Sequence, residues 1–506
     1  MGNCVIMKNK LLFWLDADLT HFGLAKFLQE KGEFDIFGIF DITNKPKKFF
    51  NEQKIVDFQK RWFYHEHIIK TSEKIDLNYL RDFEEKYKIN LWLLAYNERI
   101  FFRFNEYHKF KPDEILKILE QECKLFEKIL DEVKPEFMLM RAADLHQNQL
   151  FYELCKAKKI KVLMLGQTRF ASRVIISSLW HEIDVEDDVK ISKNRTVEEL
   201  YEFLKGADTF KQVTNYTTKF QKSNRGKISA IKKFLLSKNT NEKTHFTYFG
   251  RTKGKVIFKE LTYVLKRKFR ENFINKNLVR KIENSESFFY FPLHLDQEST
   301  LLIGGPFFTN QIEIIRHIVK SLPVGYSLYV KEHPAMKLRG WHKTSEYKEI
   351  MELPNVVLIH PNVKPEEILK KCDLVISIAS TASLEAAFYG KPSIIFAHSP
   401  YSTLSSVYRL KNIEELPMII RKALNTKVEI NDLNKYINYV EKNSFQLDLI
   451  KIELGYARIF YHDGNLVDVE ISEKQMNAFL DEFQYEFEIL ANEHLKKMNL
   501  NKKYDL

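Results

Sequence analysis

The sequence predicts an α/β protein of two domains, and three observations carry that expectation. Its 506 residues exceed what one hydrophobic core organises, which makes two domains of about 200 to 250 residues the default. Short apolar runs recur with helix-favouring stretches between them, and the runs end in polar turns. Leu11 to Leu15 ends at Asp16-Ala17-Asp18, Tyr326 to Val330 at Lys331-Glu332-His333-Pro334, and Leu374 to Ile378 in a hydroxyl cluster. Runs that are apolar throughout, not alternating, are strands of parallel sheets covered on both faces. The predicted architecture is two Rossmann-like domains facing a central cleft, with a basic, mostly helical connection between them.

In chain order, strand Leu11 to Leu15, a helix from about Phe22 to Lys31 and strand Phe34 to Phe40 make an opening βαβ unit. Its first strand delivers Asp16, Asp18 and His21 to the strand carboxyl ends, where such sheets bind ligands. Residues 76–132 read as helical, interrupted between Leu91 and Phe104, where Glu98, Arg99 and Arg103 sit among aromatics. Strand Phe137 to Met140, turn Arg141 to His146, helix Gln149 to Lys158 and strand Lys161 to Leu165 restore the rhythm, with Asp144 and His146 in the turn. The second domain starts at Phe288 to Pro292 and continues through helix Gln311 to Leu322, strands Tyr326 to Val330 and Asn355 to Ile359, and helix Glu366 to Lys371. Helices near Glu414 to Leu424, Asp432 to Glu441 and Ser472 to Lys497 follow. The expected boundaries are 1–205, 206–285, 286–430 and 431–506, the last a helical tail returning to the first domain.

The net charge of +11 is concentrated. Between Lys211 and Glu283 stand 20 Lys or Arg against four acids, a net +16, so the rest of the chain carries −5. Aromatics such as Phe220, Phe258 and Phe269 interleave with the basic residues. Such a stretch is a solvated helical connection, or it lies on an anionic membrane or polyanion through Lys266, Arg267, Lys268 and Arg270. A nucleic-acid partner is not expected. The four cysteines are scattered, with neither zinc nor disulfide spacing, and fit a reducing cytoplasm. There is no apolar run of spanning length. The N-terminus begins like an acylation signal but has Ile6 where Ser or Thr is required.

The stretch Asp373 to Phe396 is the most informative. A buried strand ends in Ser377, Ser380, Thr381 and Ser383, enters a helix over Leu384 to Tyr389, and restarts after Gly390-Lys391-Pro392. Ser380 or Thr381 is a natural N-cap. A helix N-terminus at a parallel strand's carboxyl end presents backbone N–H groups and partial positive charge, a place for a phosphate. Hydroxyl donors without added charge suit a single phosphate better than a triphosphate with its cation.

Taken together, Phe291-Pro292-Leu293-His294, Lys331-Glu332-His333-Pro334 and Ser377 to Ala386 followed by Gly390-Lys391-Pro392 resemble bacterial capsule-polysaccharide glycosyltransferases of the Kdo-transferase kind, which share a His-Pro and a Ser/Thr motif with CMP-sugar sialyltransferases. The resemblance covers residues 285–400 and reaches the first domain only as architecture. It implies a GT-B fold, a CMP-activated acidic sugar such as Kdo or a nonulosonate as donor, no cofactor and no obligatory metal. It also implies a glycan or glycolipid acceptor and a cytoplasmic or peripheral membrane station. His333 would donate to the leaving phosphate, Ser380 and Thr381 would bind it, Lys331 would neutralise it, Glu385 would meet ribose hydroxyls, and His294 would position the donor beside Pro334, Ser377 and Ser383.

A departing nucleotide leaves charge on a phosphate oxygen, where preorganised donors lower the barrier most. The first domain must then supply a carboxylate, as general base or as nucleophile. Asp16, Asp18, Asp144 and Glu98 are the candidates, in that order, alongside His333 for the leaving group. Three other readings stay open: a metal enzyme using Asp16-Ala17-Asp18, a UDP-sugar transferase or sugar-nucleotide 2-epimerase of the same fold, and a non-catalytic polyanion-binding scaffold.

Overall fold

The computed structural model describes residues 9–168, 170, 173–179, 182–184, 193–206, 224–282 and 287–503. The N-terminal Met-Gly-Asn-Cys segment, Lys211 to Phe220 of the basic stretch, and Glu283 lie outside the described residues. The chain forms two units. One gathers Met1–Asp184, Ala207–Lys253 and Asn443–Leu506, and the other Val185–Gly206 and Gly254–Lys442. The basic stretch is therefore divided between them, where the sequence reading made it a separate connection, and the tail of the first unit starts at Asn443 in place of residue 431.

Unit 1 is built on seven strands: β1 Asn9–Leu15, β2 Phe34–Phe40, β3 Phe58–Phe63, β4 Phe137–Arg141, β5 Lys161–Gln167, β6 Arg173–Ser177 and β13 Phe445–Gln446. Their order is β13-β6-β5-β4-β1-β2-β3. The pairs from β5 to β3 are parallel, while β6 and β13 add an antiparallel edge. Central β1 is buried on both faces from Leu11 to Leu15, as its continuous apolar run demands. Helix Thr20–Lys31 covers one face through Phe22, Leu24, Phe27 and Leu28. The interrupted region resolves into helices Leu77–Tyr87, Leu91–Asn97 and Pro112–Val133, with a π-helical turn at Arg99–Arg103. The tail helices Leu449–Ile459, Glu473–Glu482 and Gln484–Lys503 put Ile452, Phe479, Phe487 and Leu490 into the core that holds Leu11, Phe13 and Phe22.

Unit 2 has six parallel strands: β7 Ser287–Pro292, β8 Tyr326–Lys331, β9 Val356–Ile359, β10 Leu374–Ser377, β11 Ser393–Ile395 and β12 Val407–Arg409. Their order is β12-β11-β10-β7-β8-β9. Pairing is in register from Ser287↔Tyr326 to Pro292↔Lys331 and at Val375↔Tyr290. This order decides where the motifs fall. Strand β7 lies between β10 and β8, so the turns after Ser377, Pro292 and Lys331 emerge side by side at one carboxyl edge of one sheet.

Candidate active site

At the end of β10 the chain bends through Ile378 to Ser380 into helix Thr381–Phe388. Ser380 is the N-cap, its Oγ accepting the Ala382 N–H at 3.2 Å. Thr381, the first helical residue, and Glu385, one turn on, are partly exposed. Ser377 and Ser383 depart from the expected phosphate role. Both are fully buried, their hydroxyls lie 2.8 Å apart, and Ser377 Oγ also accepts the Ser380 N–H at 3.1 Å. They brace the turn from inside: Ser377 ends the buried strand, and Ser383 lies on the buried face of the helix above it.

The two histidines stand beside this turn. His294 Nε2 accepts the Ala379 N–H at 3.2 Å, tying the end of β7 to the bend after β10. In the neighbouring loop His333 Nδ1 accepts the Ala335 N–H at 3.2 Å, which assigns the ring proton of the neutral imidazole to Nε2. Pro334, partly exposed beside it, fixes the backbone there. Lys331 at the β8 end is buried, and that burial pulls its ammonium down to about 8, against the opposing pull of Glu332 and Glu385. A buried cation within electrostatic range of the Thr381–Phe388 helix is a receptor for negative charge.

Beneath both loops runs a polar network the sequence reading missed. The His294 N–H donates to Gln311 Oε1 at 2.7 Å, and Gln311 Nε2 donates to Asp296 Oδ1 at 2.6 Å. His342 spans the gap, with Nε2 3.4 Å from Asp296 Oδ2 and Nδ1 2.6 Å from Glu332 Oε2. Glu332 Oε1 accepts the His333 N–H at 2.6 Å, and the Tyr347 hydroxyl donates to Glu332. Burial disfavours the His342 cation, yet Glu332 and Asp296 outweigh it and hold the imidazolium well above its usual range. One connected chain of bonds thus positions the backbones of His294 and His333.

In unit 1 the sheet order again places the candidates together, since β4, β1 and β2 are neighbours and deliver Asp144, Asp16 and Asp41 at their carboxyl ends. Burial raises Asp16 to about 7; Arg141 opposes the rise, and Asp41 and Asp144 add to it. Its Oδ1 accepts the Asp18 N–H at 2.7 Å. Asp18 itself is committed, because it pairs with Arg141 and accepts the Thr20 N–H at 2.9 Å just ahead of the helix. Asp144 is the exposed member, with Arg99 Nη2 3.1 Å from its carboxylate. Asp41 was missed: His65 Nε2 lies 3.1 Å away and Gln147 Nε2 donates to it at 3.0 Å, and these contacts overcome burial and keep it ionised. Arg141 also reaches Glu453 at 2.7 Å, a tail residue that no local signal in the sequence connects to it.

Glu98 must be corrected. It is buried, bound to the His146 ring at 2.9 Å and to the His146 N–H at 2.9 Å. The other ring nitrogen of His146 lies 3.0 Å from Glu122, which also accepts from Tyr64. Burial disfavours the His146 cation, but Glu122 and Glu98 push it up to about 10. The set is a closed ion network that fixes the turn after β4, and Glu98 is not available as a base.

The basic set is corrected as well. Arg270 Nη1 donates to Gly340 O at 3.0 Å and Trp341 O at 2.9 Å, so it points into unit 2. Arg267 is partly buried within electrostatic range of Tyr263, while Lys266 and Lys268 are exposed. Among the described residues no cluster of three or more His, Cys, Asp or Glu is arranged to hold a metal.

Comparisons with known proteins follow this geometry. No curated protein matches the sequence. Among solved structures, the β-Kdo 2,7 transferase of KpsC from Thermosulfurimonas dismutans is similar at 11% identity and a TM-score of 0.31, covering 65% of this chain and 83% of that one. The β-Kdo 2,4 transferase of the same KpsC is similar at 13% identity and a TM-score of 0.28, covering 60% and 79%. The UDP-GlcNAc 2-epimerase of Methanocaldococcus jannaschii is similar at 14% and 0.24, covering 84% and 94%. These are distant likenesses, and neither activity transfers from them. The family model described as "Capsule polysaccharide biosynthesis protein" matches residues 217–405. That segment holds His294, the Lys331-Glu332-His333-Pro334 turn and the Thr381–Phe388 helix, and over these residues the chain is similar to the capsule polysaccharide biosynthesis proteins.

Proposed function

We propose that the chain is a glycosyltransferase of capsule polysaccharide biosynthesis that moves an acidic sugar, of the Kdo or sialic-acid-like kind, from a CMP donor to a surface polysaccharide or glycolipid. The observation that carries this reading is the meeting of the capped helix start, Lys331, His294 and His333 at adjacent strand ends of one sheet. In the proposed step the bond between the anomeric carbon and the phosphate oxygen breaks, and the acceptor oxygen bonds to that carbon. The charge left on the phosphate meets the helix N-terminus, Ser380, Thr381, the Lys331 ammonium and the His333 Nε2–H. Glu385, one turn into the helix, would accept from the ribose hydroxyls. In unit 1, Asp16 accepts the proton of the acceptor hydroxyl, because a carboxyl titrating near neutrality is a stronger base than an ordinary carboxylate and is deprotonated in a substantial fraction at neutral pH. Protein groups offset the single phosphate's charge, so the reading requires no divalent cation. The buried free thiols of Cys123, Cys155 and Cys372 suit the cytoplasm, where the reading places the enzyme.

A thermal-shift panel of CMP, CDP, UDP and GDP tests the donor, and CMP is expected to stabilise most. Preferential stabilisation by UDP would replace this reading with the UDP-sugar transferase or epimerase. With a CMP-sugar donor, transfer is expected to survive a chelator, and His333→Ala to lower it about a hundredfold, the usual effect of losing one such donor. Transfer by His333→Ala within about tenfold of the parent would remove His333 from the leaving-group role.

A further inference from the structure

Helix Lys253–Asn277 packs Phe273 and Ile274 against the core of unit 2 at its C-terminal end, but from Lys253 to Arg270 it departs from an ordinary surface helix. Its inner side carries the polar anchors. The Tyr263 hydroxyl donates to Leu338 O at 2.9 Å, and Arg270 holds Gly340 O and Trp341 O. Its outer side carries Ile257, Phe258, Leu261, Val264, Leu265 and Phe269, which are 41% to 69% exposed. At 3.6 residues per turn these six occupy an arc of about 140° over about 18 Å of helix. A helix serving only its own domain buries its apolar stripe and exposes its charges. Scattered exposed apolar residues need no explanation, but a contiguous row of this size marks an interaction surface.

The charges around the row select the occupant. Lys268 falls within the apolar arc and Lys266 about 60° past its Phe269 edge, both exposed, with Glu260 about 40° past the opposite edge. A second copy of the chain packed on the row would set lysines against lysines across the two-fold axis. An anionic lipid surface offers both complements at once, acyl chains for the row and phosphates for the ammonium groups. Helix Asn224–Leu236, in the other unit, repeats the pattern independently, with Ile228, Ile231 and Leu235 exposed at i, i+3 and i+7 beside exposed Lys227, Lys232 and Lys233. No helix among the described residues is long and apolar enough to cross a bilayer, so the mode that fits is one lying in the interface.

We infer that helix Lys253–Asn277 binds the surface of an anionic bilayer, with Phe258, Leu261, Leu265 and Phe269 at the headgroup and acyl boundary and Lys266 and Lys268 on lipid phosphates. The inference deepens the proposed function by naming the surface at which it works, and its test needs neither donor nor acceptor. The full chain is mixed with phosphatidylcholine vesicles, with or without phosphatidylglycerol, and sedimented. Binding is expected only to the anionic vesicles, weakening with salt. Leu265→Asp/Phe269→Asp and, separately, Lys266→Glu/Lys268→Glu are each expected to lower the partition coefficient by about tenfold or more. Both pairs are exposed, and an unchanged melting temperature verifies that the variants fold. Phe258→Trp is expected to add to the parent's tryptophan emission a component that shifts to the blue on adding anionic vesicles. Absence of binding, or binding that both pairs leave intact, overturns the inference. So does a dimer in solution that Leu265→Asp/Phe269→Asp converts to monomer, since the row is then covered by a second copy. Loss of vesicle binding with transfer intact on a soluble acceptor would leave the transferase reading standing, and failure of the CMP and His333 tests would leave this one standing.

Discussion

A carboxyl buried beside two other carboxylates keeps its proton to higher pH, and Asp16 is held that way against the opposing pull of Arg141. A general base must be deprotonated, so kcat/KM is expected to rise with pH on an acid limb with a midpoint near 7. Asp16→Asn should abolish transfer and, in stability, do the opposite of harm. A folded-state pKa raised above the unfolded one gives stability that is present below the usual 3.8 and lost as pH rises through about 7. The asparagine variant should therefore gain on the parent across that window in pH-dependent urea melts. An acid limb that persists in Asp16→Asn would assign it elsewhere. The strand-end positions of Asp16 and His333 are legible because both follow apolar runs. Asp41, Arg141 and Glu453 were not, since only strand order and a distant tail helix bring them to Asp16. His342 was equally hidden, ten residues past Glu332 in an unremarkable loop. Removing it by His342→Ala strands two buried carboxylates and should cost about 3–5 kcal/mol. Because the His342 pKa is raised, that contribution is full below the usual 6.5 and lost only as pH climbs through the much higher folded value. A deficit in His342→Ala that is already gone at pH 7 by chemical denaturation would contradict the ion bridge.

Elements follow the sequence where one periodicity is available and depart from it where the partner lies far away. Strands Phe34–Phe40 and Phe137–Arg141 and the Ser380 cap match their local signals. Strand Phe58–Phe63 is not legible because Gln59, Lys60 and Arg61 interrupt its apolar residues, and strand Arg173–Ser177 because its apolar run, Val174 to Ile176, is too short to signal a strand. Helix Lys253–Asn277 shows the limit from the other side, since its apolar period is visible but the pattern cannot say which face meets the protein. Gly23 illustrates how a remote partner constrains one element. It sits in helix Thr20–Lys31 where a Cβ would overlap the ring of Phe487 from the tail, and that ring is fully buried and cannot swing away. Alanine improves helix propensity by about 1 kcal/mol, whereas overpacking a core costs about 1–3 kcal/mol. Gly23→Ala should therefore destabilise unit 1 on balance, and a rise in its melting temperature would show that the tail helix is not seated on Gly23.

For the whole molecule, the chain's two ends and Ala207–Lys253 belong to one unit, and Val185–Gly206 with Gly254–Lys442 to the other. Residues 9–184 do not close their own core: Phe479, Phe483, Phe487 and Leu490 fill it from the tail, and β13 pairs with the edge strand β6. Unit 2 ends at Lys442. Its last helix, Ile430–Lys442, clasps the returning segment through Asn434, whose amide exchanges two bonds with the Arg195 backbone at 2.9 and 3.0 Å, and through Asn438, which does the same with Lys193 at 3.0 and 2.8 Å. A chain truncated after Lys442 should accordingly lose one cooperative unfolding transition and keep the other. Limited proteolysis should clear residues 1–184, left with an open apolar core and an unpaired sheet edge, and spare a fragment spanning Gly254 to Lys442. If CMP binds unit 2 as proposed, it should shift the surviving transition by as much as it shifts the same transition in the full chain, because ligand linkage depends only on the folded site. Protection of residues 1–184 in the truncated chain would show that the tail is an accessory and not a part of the first core. A CMP shift confined to the full chain would show that the nucleotide pocket draws on unit 1.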